Sequence, residues 1–288
     1  MTRICYLGPA GTFTEAALRT LIGAGRVPGC DHRTLPAETT PAALEAVRIG
    51  AADYACLPIE NSIEGGVTPT LDGLAVGQPL QIFAETALDV AFSIILAPGL
   101  TASHVHTVAA HPVAAAQVRH WLADHLPHAV VIPANSNAAA AQQVYDGHVD
   151  AGVSTALAAE QRNLATLADG VIDEPNARTR FVLVGSPAVP PQRTGADRTS
   201  AVLRLDNVPG SLAAALAEFG SRGIDLTRIE SRPTRTGLGT YLFFLDCVGH
   251  IDDHLVAEAL QALRRNCVEV RYLGSWPSFS TKQHKELS

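Results

Sequence analysis

Along the first 185 residues, short apolar or β-branched runs alternate with alanine-rich runs whose apolar positions recur at helical spacing. Residues 4–7, 54–59, 91–97, 128–132 and 181–184 predict strands, while 15–22, 41–48, 112–126 and 136–145 predict helices. Alternation of this kind predicts βαβ units and a largely parallel, doubly wound sheet. Between Gly185 and Asp197 the period lapses into a run with three prolines, which reads as a linker. Downstream the order becomes strand 200–205, helix 211–220, strands 226–232 and 240–247, helix 253–265 and strand 268–272. This is the βαββαβ order of ferredoxin-like modules. Leu212, Leu216 and Phe219 share one face of its first helix, as covering a sheet requires. The expected division is a body at 1–185, a linker at 186–197, a module at 198–276 and a tail at 277–288. A module this small is expected to pair its sheet edge or open face with another copy.

Composition narrows the function classes. With 47% hydrophobic and 17% charged residues, the 288-residue chain is expected to fold compactly and not to be disordered. A net charge of −7 argues against nucleic acid or a membrane surface as partner, since both call for basic patches. Cys5, Cys30, Cys56, Cys247 and Cys267 are odd in number and lie in no CxxC pair, so neither a disulfide scaffold nor a metal site is expected. Residues 1–8 enter a strand without an apolar leader segment, and the uncharged stretch 90–118 is broken by Pro98, Gly99 and Pro112. A cytoplasmic protein is expected.

Candidate chemistry sits where strands run into helices. In Gly8-Pro9-Ala10-Gly11-Thr12-Phe13-Thr14-Glu15, Thr12 can cap a helix and Glu15 can reach back to the cap, leaving free amides for a carboxylate or phosphate. The run lacks the Gly-Lys-Ser/Thr of a P-loop and the third glycine of a dinucleotide fingerprint, which disfavours nucleotides. Glu60-Asn61-Ser62 and Glu64-Gly65-Gly66 follow an apolar strand, the position at which open α/β sheets bind ligands. His111-Pro112 with Gln117, and Ser154-Thr155-Ala156, are further strand-to-helix junctions. Arg178-Thr179-Arg180 offers two cations and a hydroxyl that could hold an anion and donate to a leaving group.

Taken in order, Gly8 to Thr14, Pro58 to Gly66, His111-Pro112, Ser154 to Ala156 and Thr179-Arg180-Phe181 resemble the blocks of the prephenate dehydratase family. The downstream module resembles that family's ACT regulatory domain through Asn207-Val-Pro-Gly-Ser-Leu212 and Glu230-Ser-Arg-Pro233. One departure is that Asn176 stands three residues before Thr179, where the family usually has asparagine two before. The resemblance implies an α/β, two-lobed catalytic domain like type II periplasmic binding proteins, with the active site between the lobes. It implies a hydro-lyase that turns prephenate into phenylpyruvate in phenylalanine biosynthesis, with no cofactor and no metal. Thr179 would be catalytic, and Thr12, Thr14, Asn61, Ser62, Ser154, Thr155, Arg180 and Phe181 would bind substrate. Helix-start amides near Thr12 and Thr14, with Arg180, would hold the anionic groups; Glu60 or Glu64 as general acid is a weaker alternative. Phenylalanine would bind as effector at Asn207, Pro209, Gly210, Ser211 and Leu212, with Glu230 and Ser231 from a partner module in a homodimer or homotetramer. Arogenate dehydratase and a non-catalytic amino-acid sensor are the rival readings.

Overall fold

The computed structural model describes residues 1–173, 177–235, 237 and 239–279; Asn176 lies outside the described residues. The first lobe holds β1 (Thr2–Leu7), α1 (Phe13–Gly23), β2 (His32–Ala37), α2 (Thr40–Arg48), β3 (Tyr54–Asn61), β4 (Gly65–Gly66), α3 (Thr68–Ala75) and β5 (Gln81–Asp89). The chain then crosses into a second lobe with β6 (Phe92–Leu96), β7 (Thr107–Ala110), α4 (Pro112–Gln117), α5 (Arg119–His125) and β8 (Val130–Pro133). That lobe continues with α6 (Asn137–Tyr145), β9 (Ala151–Ser154), α7 (Ala156–Arg162) and β10 (Ala165–Val171), before β11 (Arg178–Gly185) returns to the first. The C-terminal module comprises β12 (Asp197–Arg204), α8 (Ser211–Gly220), β13 (Leu226–Pro233), β14 (Tyr241–Val248), α9 (His254–Asn266) and β15 (Glu269–Pro277).

The three sheets run β2-β1-β3-β11-β5, β10-β6-β9-β7-β8 and β13-β14-β12-β15, the last being the ferredoxin-like order. The expectation of largely parallel sheets is corrected. β1 is parallel to β2 and β3, but β11 runs antiparallel to both β3 and β5. In the second lobe β7 is parallel to β8 and β9, whereas β6 is antiparallel to β9 and β10. The antiparallel members flank the two crossings between lobes, so they return against the βαβ direction. Strand β5 was not foreseen, and the expected helix 112–126 is divided at Val118 into α4 and α5.

Alternation along the module's strands gives its sheet two buried faces. Ala201, Leu203, Leu245 and Cys247 pack with Phe219, Leu260 and Leu263 from the two helices. From the opposite face Val202, Phe244, Leu273 and Trp276 join Leu57, Ile59, Ile82 and Val182 of the first lobe in one continuous core. Burying Val202, Phe244 and Leu273 contributes about 1.5–3 kcal/mol each. The stretch read as a linker therefore joins two units that share a core, and its last residue, buried Asp197, already begins β12.

Close approach between β15 and β5 depends on one glycine. Gly274 has φ +134°, and a β-carbon there would lie 2.3 Å from the Ile82 carbonyl oxygen. Left-handed strain costs about 1–3 kcal/mol and overpacking a similar amount, so Gly274→Ala is expected to lower stability by about 2–5 kcal/mol. Thermal unfolding checks this against Gly220→Ala, where no neighbour lies within 4 Å and the midpoint should hold.

Candidate active site

The antiparallel register of β3 and β11 sets Thr179 opposite Asn61. Asn61 Oδ1 accepts from the amides of Ile63 at 2.8 Å and Glu64 at 3.1 Å, so its Nδ2 is turned to donate to Thr179 Oγ1 at 3.0 Å. An oxygen that accepts here keeps its own proton free, and that proton has no acceptor among the described residues. The pair faces a cavity of about 450 Å³ between the lobes.

From the first lobe, Gly8, Thr12, Phe13 and Thr14 reach the cavity. Thr12 caps α1, accepting from the Glu15 amide at 3.4 Å and donating to the Leu7 carbonyl at 3.2 Å. Glu15 reaches back as foreseen, but to the Gly11 amide at 2.7 Å rather than to the cap residue itself. Burial works to raise the Glu15 carboxyl, yet the Gly11 amide, Gln161 and Arg19 outweigh it and hold it below its usual range. The amides of Phe13 and Thr14 stay available at the positive end of the α1 dipole.

His111, Gln117, Asn135, Ser136 and Asn137 line the wall supplied by the second lobe. Ser136 caps α6 by accepting from the Ala139 amide at 3.0 Å. The sequence reading placed a helix start at Ser136 but did not treat 135–137 as a site. The signal was the one used at Thr12: a capping hydroxyl directly after a strand. No Arg or Lys is among the described lining residues, so the amides that begin α1 and α6 are the donors this wall offers to an anion.

Four expected substrate contacts are corrected. Ser62 Oγ accepts from the Arg178 amide at 2.8 Å and joins β11 to the turn after β3, away from the cavity wall. Ser154, fully buried, donates to the Asn137 carbonyl at 2.6 Å and so supports the start of α6 from behind. Thr155 caps α7 through the Ala158 amide at 3.0 Å and donates across the lobes to the Gly11 carbonyl at 2.6 Å. With the bond from Gln161 to Glu15 at 2.9 Å, it pins the lobes together at the back of the cleft. Arg180 points to the other side of its strand, where Glu60, Glu85 and Asp246 occupy its guanidinium. Glu60 is thereby removed as a general acid, and Glu64 is the only carboxyl among the described lining residues. Thr12, Thr14, Asn61, Thr179 and Phe181 do line the cavity.

In the C-terminal module, Gly210 has φ +85° and begins α8 with no side-chain cap, next to Ser211 and Leu212; Asn207 and Pro209 are exposed in the preceding loop. Glu230 and Ser231 lie on opposite faces of β13. The expectation that Glu230 faces a partner module is corrected, because its carboxylate abuts the first lobe: a β-carbon on Gly66 would sit 2.6 Å from Glu230 Oε2. Among the described residues no His, Cys, Asp and Glu cluster could hold a metal, and no helix is long and apolar enough to cross a membrane.

The family model for prephenate dehydratase matches residues 4–189, and that for the ACT domain matches residues 199–265. The chain belongs to the prephenate dehydratase family. A prephenate dehydratase of Mycobacterium tuberculosis is 69% identical over 281 residues, spanning 96% of this chain and 88% of that protein. A solved prephenate dehydratase from Arthrobacter aurescens, in complex with L-Phe, is 44% identical with TM-score 0.87, over 96% of this chain and 90% of that one. A solved structure described as a quorum quenching acylase is 30% identical with TM-score 0.86, over 98% and 100% of the two chains. Within the family fold, Thr155 is assigned a structural role here. Thr155→Val strands the Ala158 amide and the Gly11 carbonyl, and is expected to cost about 1–3 kcal/mol in urea unfolding.

Proposed function

We propose that the protein is a prephenate dehydratase, converting prephenate to phenylpyruvate, carbon dioxide and water, with L-phenylalanine as a feedback inhibitor. The observation that carries this reading is the Thr179 hydroxyl, fixed by Asn61 Nδ2 and left with a free proton at the cavity wall. The electrons of the bond to the ring carboxylate enter the ring as carbon dioxide departs, and the 4-hydroxyl leaves with its bonding pair. Aromatisation supplies the driving force. Thr179 donates a hydrogen bond to the departing oxygen, where negative charge builds up. A threonine hydroxyl is far too weak an acid to ionise near neutrality, so a solvent proton, or one passed by Glu64, completes the water.

The substrate's two carboxylates meet the amides that begin α1 and α6, and Phe13, Val90, Phe92 and Phe181 give its ring an apolar, water-poor setting. The uncapped start of α8 suits the carboxylate of an amino-acid effector, in line with the L-Phe complex of the Arthrobacter relative. A non-catalytic sensor has no need of the Asn61–Thr179 arrangement. Assaying arogenate beside prephenate separates the keto and amino substrates. Five free cysteines, Cys30 among them exposed, support a reducing, cytoplasmic setting. The β13 edge, with Ile229 exposed, supports a homodimer or homotetramer through the ACT modules.

Phenylpyruvate formation from prephenate by the purified protein, with and without phenylalanine, tests the reading; no product would refute it. Thr179→Val should cut turnover on the order of 100- to 1,000-fold in a folded protein. In Asn61→Asp the new carboxylate accepts the Thr179 proton and withdraws it from the cleft, so a loss on the order of 100-fold is expected. Near wild-type turnover in either variant would remove the assigned role.

A further inference from the structure

We propose that Asp246, on the regulatory sheet, is a positioning residue for the dehydration step, acting through Arg180 on the Thr179–Asn61 pair. The inference rests on the dehydratase reading above.

Neighbours on a strand point to opposite faces, so Thr179 looks into the cleft while Arg180 looks towards the C-terminal module. Directly across β3, Asn61 and Glu60 divide in the same way. Behind each member of the catalytic pair therefore stands one half of an ion pair, with Arg180 Nε 3.1 Å from Glu60 Oε2. Arg180 Nη2 lies 2.6 Å from Asp246 Oδ2 and Nη1 lies 3.3 Å from Glu85 Oε2. Asp246 is held in turn by Arg228, at 2.9 and 3.0 Å in a two-pronged contact, and Glu85 by Arg198 at 2.7 Å.

Three arginines and three carboxylates thus neutralise one another across the domain boundary. Burial works to raise the Asp246 carboxyl, but Arg180 and Arg228 outweigh it and hold it well below the usual carboxylate range, so it stays charged at neutral pH.

The ladder holds β11 in unbroken register with β5 from Arg178 to Leu183, but β3 is irregular where it carries Glu60 and Asn61. The register against β3 slips between Arg180 and Phe181, with Ile59 as the extra residue. Bulges beside active sites re-aim side chains. Here the bulged strand is β3, and the tie from Arg180 to Glu60 sets how its end, with Asn61, meets Thr179. A second contact converges on the same place from β13. Glu230 abuts Gly66, which pairs with Glu60 in the β3–β4 ladder.

The test compares full-length Asp246→Asn, Asp246→Glu and Asp72→Asn in prephenate turnover. Asp72 binds Arg232 and Arg235 across the same boundary without touching β11, so it controls for loosened docking. A misplacement near 1 Å can cost on the order of 100-fold, and Asp246→Asn is expected to lower kcat about 10- to 100-fold. KM should move by less than about threefold, because no group that touches substrate changes. Asp246→Glu should recover part of kcat, and Asp72→Asn should retain it. The proposal is overturned if Asp246→Asn keeps wild-type kcat, or if Asp72→Asn loses as much. If Asp246→Asn does not fold, Asp246→Glu decides: wild-type kcat overturns the proposal, and a lowered kcat at unchanged KM sustains it. Failure of the wild-type chain to form phenylpyruvate would instead strike the dehydratase reading.

Discussion

The antiparallel pairing of β11 with β3 is the constraint on which the rest of the molecule depends. It joins residues 118 apart in sequence into one hydrogen-bonded pair, Asn61 with Thr179. It also inserts the returning strand between β3 and β5, so the first lobe is completed only after the second has been made. Through the alternation of side chains, the same pairing gives β11 a chemical face and a regulatory face. The cleft sees a hydroxyl whose proton is free, and the module sees a guanidinium already shared among three carboxylates.

On the dehydratase reading, that division lets an acidic chain take up an acidic ligand. The natural expectation is that arginine meets the substrate carboxylate, yet Arg180 is committed elsewhere and the described cavity wall carries neither arginine nor lysine. On the same reading helix-start amides take their place. Such donors are fixed by the backbone, carry only partial charge and need no counter-ion when the cavity is empty. A free guanidinium in the same position would invite a neighbouring carboxylate to collapse onto it.

Features set by local chemistry were legible from the sequence. The threonine cap at Thr12, the boundaries of α8 and the βαββαβ order all rest on residues close together in the chain. What escaped depends on partners remote in sequence. Strand β5 carries Glu85 in its middle, which reads as a polar interruption until Arg180 and Arg198 arrive to neutralise it. Arg180 looks like an anion hook because Asp246 lies on another domain. Ser154 and Thr155 sit at the right kind of junction, but they face the carbonyls of Asn137 and Gly11, which no local pattern reveals. The stretch 185–197 has a linker's composition, yet apolar residues on both sides of it close into one core.

The shared core has an evolutionary consequence. A regulatory domain attached by a flexible tether can be lost or exchanged with little effect on its neighbour. Here the underside of the module supplies Phe244, Leu273 and Trp276 to the first lobe's interior, and one arginine and one carboxylate, Arg198 and Asp246, to its buried charges. The module is therefore no interchangeable cassette: its inner sheet face must drift together with β3, β5 and β11. Its outer face and helices are free to diverge and to acquire a different ligand preference without disturbing the chemistry beneath.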